Sequence, residues 1–181
     1  MKTYFKKLDS SIMPQPVDPD SIKGELLFHY GNIRYFKVTD ESYISAINQS
    51  FKIPPKKIFL VEGHGELNAH RDNGVYSCIN YYLRPGGYKT SFWEPIENAR
   101  RIKAKKYNKE TDTYIDVELA YEPEDIVLMN SFVAEDNDLY LLNIGEVHSV
   151  VGEKPKKPRA MVQLQWHYST TVEDLIEQLK I

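Results

Sequence analysis

The chain has a single cysteine, Cys78, so an intramolecular disulfide is impossible and a zinc site built from several cysteines is excluded. No apolar stretch approaches the roughly 20 residues that a membrane-spanning helix needs. The start, "MKTYFKKLDSS", has lysines but lacks the apolar core of a signal peptide. An excess of one charge is missing too. Lys and Arg number 23 against 26 Asp and Glu, a net −3, which gives no general pull toward nucleic acid or an anionic membrane. There is no internal repeat and no low-complexity tract. What is present is ordinary globular composition, 41% hydrophobic and 27% charged over 181 residues. That length builds one domain with a substantial core and no covalent staples. The expectation is a soluble, cytoplasmic protein.

Residues 1–56 read as an N-terminal arm with short strands and a supporting helix. "SIMPQPVDPDSIKG" (11–24) holds three prolines and reads as extended surface chain. "FHYGNIRYFKV" suggests short strands around Gly31. "DESYISAINQSF" then sets Ile44, Ile47 and Phe51 at helical spacing behind acidic residues suited to a first turn. "IPP" stops that helix.

Residues 57–168 speak mostly in strands. "KKIFLVEG", "VYSCINYYL", "KTSFWEP", "RRIKAKKY", "TYIDVELAY", "DIVLMNS", "DLYLLNIG", "VHSVVG" and "RAMVQLQWHY" are short, β-branched or aromatic, and bounded by turn residues. Such spacing points to a sandwich or jelly roll. Residues 169–181 end the chain in a helix, with Thr170 and Glu173 as a capping box and Val172, Leu175, Ile176 and Leu179 as its apolar stripe. The reading is one domain, 1–181, mainly β with flanking helices laid across one outer sheet face.

The last strand carries the first functional hint. Ala160, Val162, Leu164 and Trp166 face the helices, whereas Arg159, Met161, Gln163 and Gln165 face the interior. Polar side chains aimed into a β interior are expensive unless something there uses them. The second hint is "NAHRDNGVYSCINYYL" (68–83). On a strand, residues i and i+2 share a face, so His70 and Asp72 can grip one ion together. The third ligand has four candidates, His29, His64, His148 and His167. His148, after a glycine turn and at the start of a strand, suits a rim position, and His64 is the fallback. Two histidines and one carboxylate form the facial triad of non-haem Fe(II) oxygenases. An H-x-D alone is common in surface turns; the order is what counts, with H-x-D first, then a distal histidine, then an inward arginine on the next strand.

In that order the chain resembles the 2-oxoglutarate/Fe(II)-dependent dioxygenases, and among them the prolyl-4-hydroxylase-like group. The matching segments are "HRDNG" (70–74), "CINYYL" (78–83), "SFWEP" (91–95), "EPEDIVLMNS" (122–131), "EVHSV" (146–150) and "RAMVQLQW" (159–166). They cover about residues 57 to 166. The resemblance implies a double-stranded β-helix, the jelly-roll or cupin-like architecture. It also implies that His70, Asp72 and His148 hold Fe(II) and that Arg159 binds the distal carboxylate of 2-oxoglutarate. Physical chemistry agrees on Arg159, because a planar guanidinium meets a carboxylate bidentately and strongly when desolvated. Tyr82, the second tyrosine of "YYL", is the implied hydrogen-bond partner of that carboxylate.

The implied activity is hydroxylation of an unactivated C–H, consuming O2 and releasing succinate and CO2, with ascorbate as a reductant. The substrate class stays open among amino acids, peptides and small metabolites. Two features depart from the family. Met161 stands where a serine or threonine often follows the arginine, and "IFLVEG" lacks the tyrosine many relatives carry in the first core strand. "RAMVQLQW" also lacks the second arginine of the DNA-repair branch. A cupin-like metal protein, suggested by Gly145-x-x-His148, and a non-catalytic β-helix module are the alternatives that do not use 2-oxoglutarate. Lastly, Arg100, Arg101, Lys103, Lys105, Lys106 and Lys109 form a basic run. Asp112, Asp116, Glu118 and Glu122 answer it, as a charge-paired hairpin or as a lip that draws in an acidic substrate.

Overall fold

The computed structural model describes residues 2–15, 17–30, 32–72, 75–108, 113–152, 157–167 and 169–179. Its strands are β1 (Phe5–Leu8), β2 (Gly24–Tyr30), β3 (Ile33–Val38), β4 (Lys57–Gly63), β5 (Leu67–His70), β6 (Cys78–Arg84) and β7 (Lys89–Pro95). They continue as β8 (Arg101–Asn108), β9 (Thr113–Tyr121), β10 (Ile126–Val133), β11 (Asp138–Leu142), β12 (Val147–Val151) and β13 (Arg159–Gln165). Two α-helices accompany them, α1 (Glu41–Ser50) and α2 (Val172–Leu179). A seven-stranded sheet runs β1-β11-β6-β13-β4-β3-β2 and a six-stranded sheet runs β10-β7-β12-β5-β9-β8. The fold is mainly β, two antiparallel sheets with few helices. None of its described helices is long and apolar enough to cross a membrane.

Pairing at the centre of the two sheets is nested. β4 pairs with β13, β5 with β12, β6 with β11 and β7 with β10, all antiparallel. The N-terminal arm belongs to the same framework, since β1 pairs with β11 and β3 with β4, so that β1 and β2 are the two edges of the larger sheet. The proline-bearing stretch makes two short 3-10 turns, Ser10–Ile12 and Pro19–Ser21, capped by Asp9 and Asp18. Gly31, between β2 and β3, lies outside the described residues.

The outer face of the larger sheet is apolar and the helices cover it. Tyr43 and Ile47 of α1 and Val172 and Leu175 of α2 form one cluster with Val162 and Leu164 of β13. Burying each large apolar side chain contributes about 1.5–3 kcal/mol. α1 starts where Asp40 accepts a hydrogen bond from the Tyr43 amide at 3.1 Å, a cap worth about 1 kcal/mol. α2 is capped one residue later than expected. Thr171 Oγ1 accepts from the Asp174 N–H at 3.1 Å, and Asp174 Oδ2 accepts from the Thr171 N–H at 2.9 Å. Thr170 is engaged elsewhere: its N–H donates to the His167 carbonyl and its own carbonyl accepts from Ser77 Oγ.

β8 and β9 form the charged hairpin, with Lys103 opposite Glu118 and Lys105 opposite Asp116. Lys109 and Asp112 lie outside the described residues. Arg100 departs from the expected pairing. It binds Asp125 at 2.7 Å and Glu124 at 2.6 Å, in the turn before β10. Asp125 also accepts the Arg100 N–H at 2.9 Å, so the arginine closes the base of the hairpin.

Candidate metal centre

His70 and Asp72 do not share a strand face, contrary to the expectation from their spacing. β5 ends at His70, and Asp72 stands in the connection to β6. The Asp72 N–H donates to the Ile144 carbonyl at 3.1 Å, which folds this connection against the approach to β12. The carboxylate still meets the histidine, with His70 Nε2 and Asp72 Oδ1 3.4 Å apart. Nested pairing supplies the third group. His148 of β12 lies directly opposite His70 of β5, with ring centroids 4.5 Å apart. One ligand atom from each of His70, Asp72 and His148 lies within 4.8 Å of the other two.

Both imidazoles are oriented from behind. His70 Nδ1 is 2.6 Å from the Asn68 carbonyl and His148 Nδ1 is 3.0 Å from the Glu146 carbonyl. A carbonyl only accepts, so each Nδ1 carries a proton; the neutral His148 keeps its Nε2 lone pair toward the cluster, whereas His70 Nε2 faces the Asp72 carboxylate. The segment that orients His148 is itself tied down. Lys2 Nζ reaches Glu146 at 2.7 Å, and Asn143 Nδ2 donates to the Thr3 carbonyl at 3.1 Å. The two rings differ electrostatically. Burial, then repulsion from His70, pushes His148 down to about 4, so it is neutral at neutral pH and ready to donate electrons to a metal. Burial pulls His70 down as well, but the hydrogen bond and charge of Asp72 outweigh it and leave its pKa raised.

A cavity of about 40 Å³ joins this cluster to Arg159, with Tyr35, Tyr82 and Met161 also on its walls. Arg159 is 6% exposed, and its Nε has no hydrogen-bond partner. Among the described residues no carboxylate pairs with it. Its neighbours are phenols instead. The guanidinium lies 5.0 Å from the centroid of the Tyr88 ring. Burial lowers its pKa, partly offset by Tyr82, Tyr35 and Tyr88. Burial likewise pushes the Tyr82 hydroxyl up to about 12, against hydrogen bonds with Asn80 and Thr90. Tyr35 is raised by burial and by Asp72, and lowered by Arg159, so it senses both ends of the cavity.

Sequence reasoning missed Tyr35 and Tyr88. Tyr35 reaches the site because β3 lies beside β4, where a Cβ on Gly63 would come within 2.6 Å of the Asn32 carbonyl oxygen. Only glycine permits that approach. Tyr88 is held by the Gly65 N–H, which donates to its hydroxyl at 2.9 Å. The inward alternation of "IRYFKV" was the one available signal for Tyr35; nothing in the sequence marks Tyr88. The other histidines stay away. His64 and His29 line a separate cavity with Arg34, and His167 bonds Ser169 at 2.7 Å. No protein-family model matches the chain, and no curated protein matches it.

Proposed function

We propose that the protein is an Fe(II)- and 2-oxoglutarate-dependent dioxygenase of the prolyl-4-hydroxylase-like group, built on a double-stranded β-helix. The nested pairing supports the architecture: four antiparallel pairs, first strand with last, are what a long hairpin rolled into two sheets produces. The observation that carries the function is Arg159. A buried guanidinium without a carboxylate is costly, and this one shares a cavity with two imidazoles and Asp72. An entering dicarboxylate with one end at the metal would supply the missing partner at the other.

In this reading His70, Asp72 and His148 hold Fe(II) through one ligand atom each. His148 would donate the lone pair it already holds free, His70 would do so on giving up its Nε2 proton to solvent, and the carboxylate would offset part of the ion's charge. Bound Fe(II) with 2-oxoglutarate would supply the oxidising power to hydroxylate a substrate C–H with O2, releasing succinate and CO2. Arg159 takes the distal carboxylate bidentately, seated on Tyr88. Tyr82 donates its hydroxyl to the same carboxylate. Tyr35 stands in for the tyrosine that "IFLVEG" lacks. Met161 is the adjustable wall: the cavity is small, and an unbranched thioether yields to an entering ligand more readily than a branched side chain. Substrate is an amino acid, peptide or small metabolite approaching from the metal side.

The test is succinate formation by the full chain with Fe(II), 2-oxoglutarate and ascorbate, together with anaerobic titration of 2-oxoglutarate into the Fe(II)-loaded protein. Saturable binding that needs Arg159, plus succinate release, supports the reading. A protein that binds Fe(II) through the three residues but ignores 2-oxoglutarate would be the cupin-like alternative.

A further inference from the structure

A third cavity lies between α1 and the start of β4, far larger than the one beside Arg159 at about 580 Å³ and within the range of small-molecule sites. Its walls are apolar and partly aromatic, with Leu27, Phe28, Val38, Ile58 and Phe59 among them. Its polar features are few and specific. Lys37, Lys56 and Lys57 line it while standing exposed to solvent, which puts their ammonium groups at its rim. None of the three forms an ion pair among the described residues, and no described carboxylate lines the cavity.

We propose that this cavity binds a small aromatic or aliphatic carboxylic acid. The apolar body lies against the apolar walls, and its carboxylate is met by the rim lysines. Lys37 stands opposite Glu25 across the β2–β3 pair, so Lys56 and Lys57 carry the charge match. The Lys56 N–H donates to the Gln165 carbonyl at 2.8 Å, which anchors their segment beside β13. A neutral apolar ligand would leave the lysines unused, and a polar anion would leave the walls wet. This site shares no lining residue with the metal centre and does not depend on its assignment.

Indole-3-propionate, which has both features, is the probe, titrated calorimetrically into the full-length protein. One saturable site with a Kd below about 1 mM is expected. The double variant Lys56→Glu/Lys57→Glu, altered only at exposed positions, should bind at least about tenfold more weakly. Uncharged 3-propylindole should lose a similar factor on the wild type. Absence of saturable binding overturns the proposal, and so does equal affinity in wild type and double variant. His148→Ala should leave the titration unchanged; loss of binding there would place the acid at the metal centre and overturn it as well.

Discussion

Alternate residues of β6 and β13 live in different worlds. Ile79, Tyr81, Leu83, Val162 and Leu164 turn toward the helices and join one apolar cluster. Their neighbours Asn80, Tyr82, Arg159 and Gln163 turn between the sheets and line the cavity beside His70, Asp72 and His148. Yet both faces are buried. What separates them is what burial does. On the outer face it is the stabilising term, non-directional and tolerant of apolar exchange. On the inner face it strips water from a guanidinium, phenols and amides, which costs free energy unless each finds a partner. The strand's two-residue period thus divides the labour, one face holding the fold and the other holding groups ready for a ligand.

The sharpest way to break that division is His148→Ala, which should lower Fe(II) or Mn(II) affinity by on the order of a hundredfold or more. Metal titration followed by isothermal calorimetry measures it; an unchanged affinity would take His148 out of the site. Next come two substitutions on one strand, expected to act in opposite ways. Leu164→Ala empties space in the outer cluster and should cost about 2–5 kcal/mol of stability, read as a shifted urea midpoint with metal affinity intact. Arg159→Ala should weaken 2-oxoglutarate binding by about 2–5 kcal/mol, with Fe(II) affinity and stability little changed. Arg159→Lys recovers only part, because an ammonium lacks the planar fork. If both variants lost stability equally, with ligand affinity untouched, Arg159 would be structural.

A smaller effect sharpens the comparison through pH. His148 has a folded pKa near 4 against an ordinary 6.5, so between those values the unfolded chain binds a proton that the folded one refuses. Stability from this group is full above pH 6.5 and is lost as pH falls toward 4, by up to about 3 kcal/mol. His70 works the other way. Its raised pKa gives a contribution present below 6.5 and lost as pH rises through the folded value. The net expectation for metal-free protein is a melting temperature that drops from pH 7 to pH 4.5, with a flatter profile in His148→Phe. Identical profiles would show that His148 is not the group responsible. Metal affinity should fall over the same range, since protons compete for both imidazoles. The smallest effect belongs wholly to the outer face: Thr171→Ala should cost about 1 kcal/mol and lower the melting point by about 2–4 °C. A change in metal affinity would contradict the separation of the faces.

Much of this was readable beforehand. The two-residue alternation in "RAMVQLQW" assigns Val162 and Leu164 to one face and Arg159 and Gln163 to the other, and the first pair joins the apolar cluster while the second lines the cavity. His70, Asp72 and His148 were singled out and do converge. The means of convergence was misread, because strand spacing assumes a strand that continues, and β5 stops at His70 while the Asp72 amide is bonded to Ile144. The cap of α2 was misplaced by one residue for a related reason: Thr170 and Thr171 are chemically alike, and only the tertiary bond from Ser77 to the Thr170 carbonyl distinguishes them.

By itself the sequence determined whatever depends on near neighbours in the chain: strand periods, helix stripes, turn residues and the ligand types available. Those are set by local sterics and by the alternation of apolar and polar side chains. Only the tertiary structure decided which distant strands lie side by side, and so that His148 faces His70 across β12 and β5. It also decided that Tyr35 enters the cavity from β3, that Tyr88 underlies Arg159, and that three lysines gather at an apolar cavity beside α1. Such pairings are selected by the free energy of closing the whole sandwich over its core, a sum over many long-range contacts that no short stretch of sequence contains.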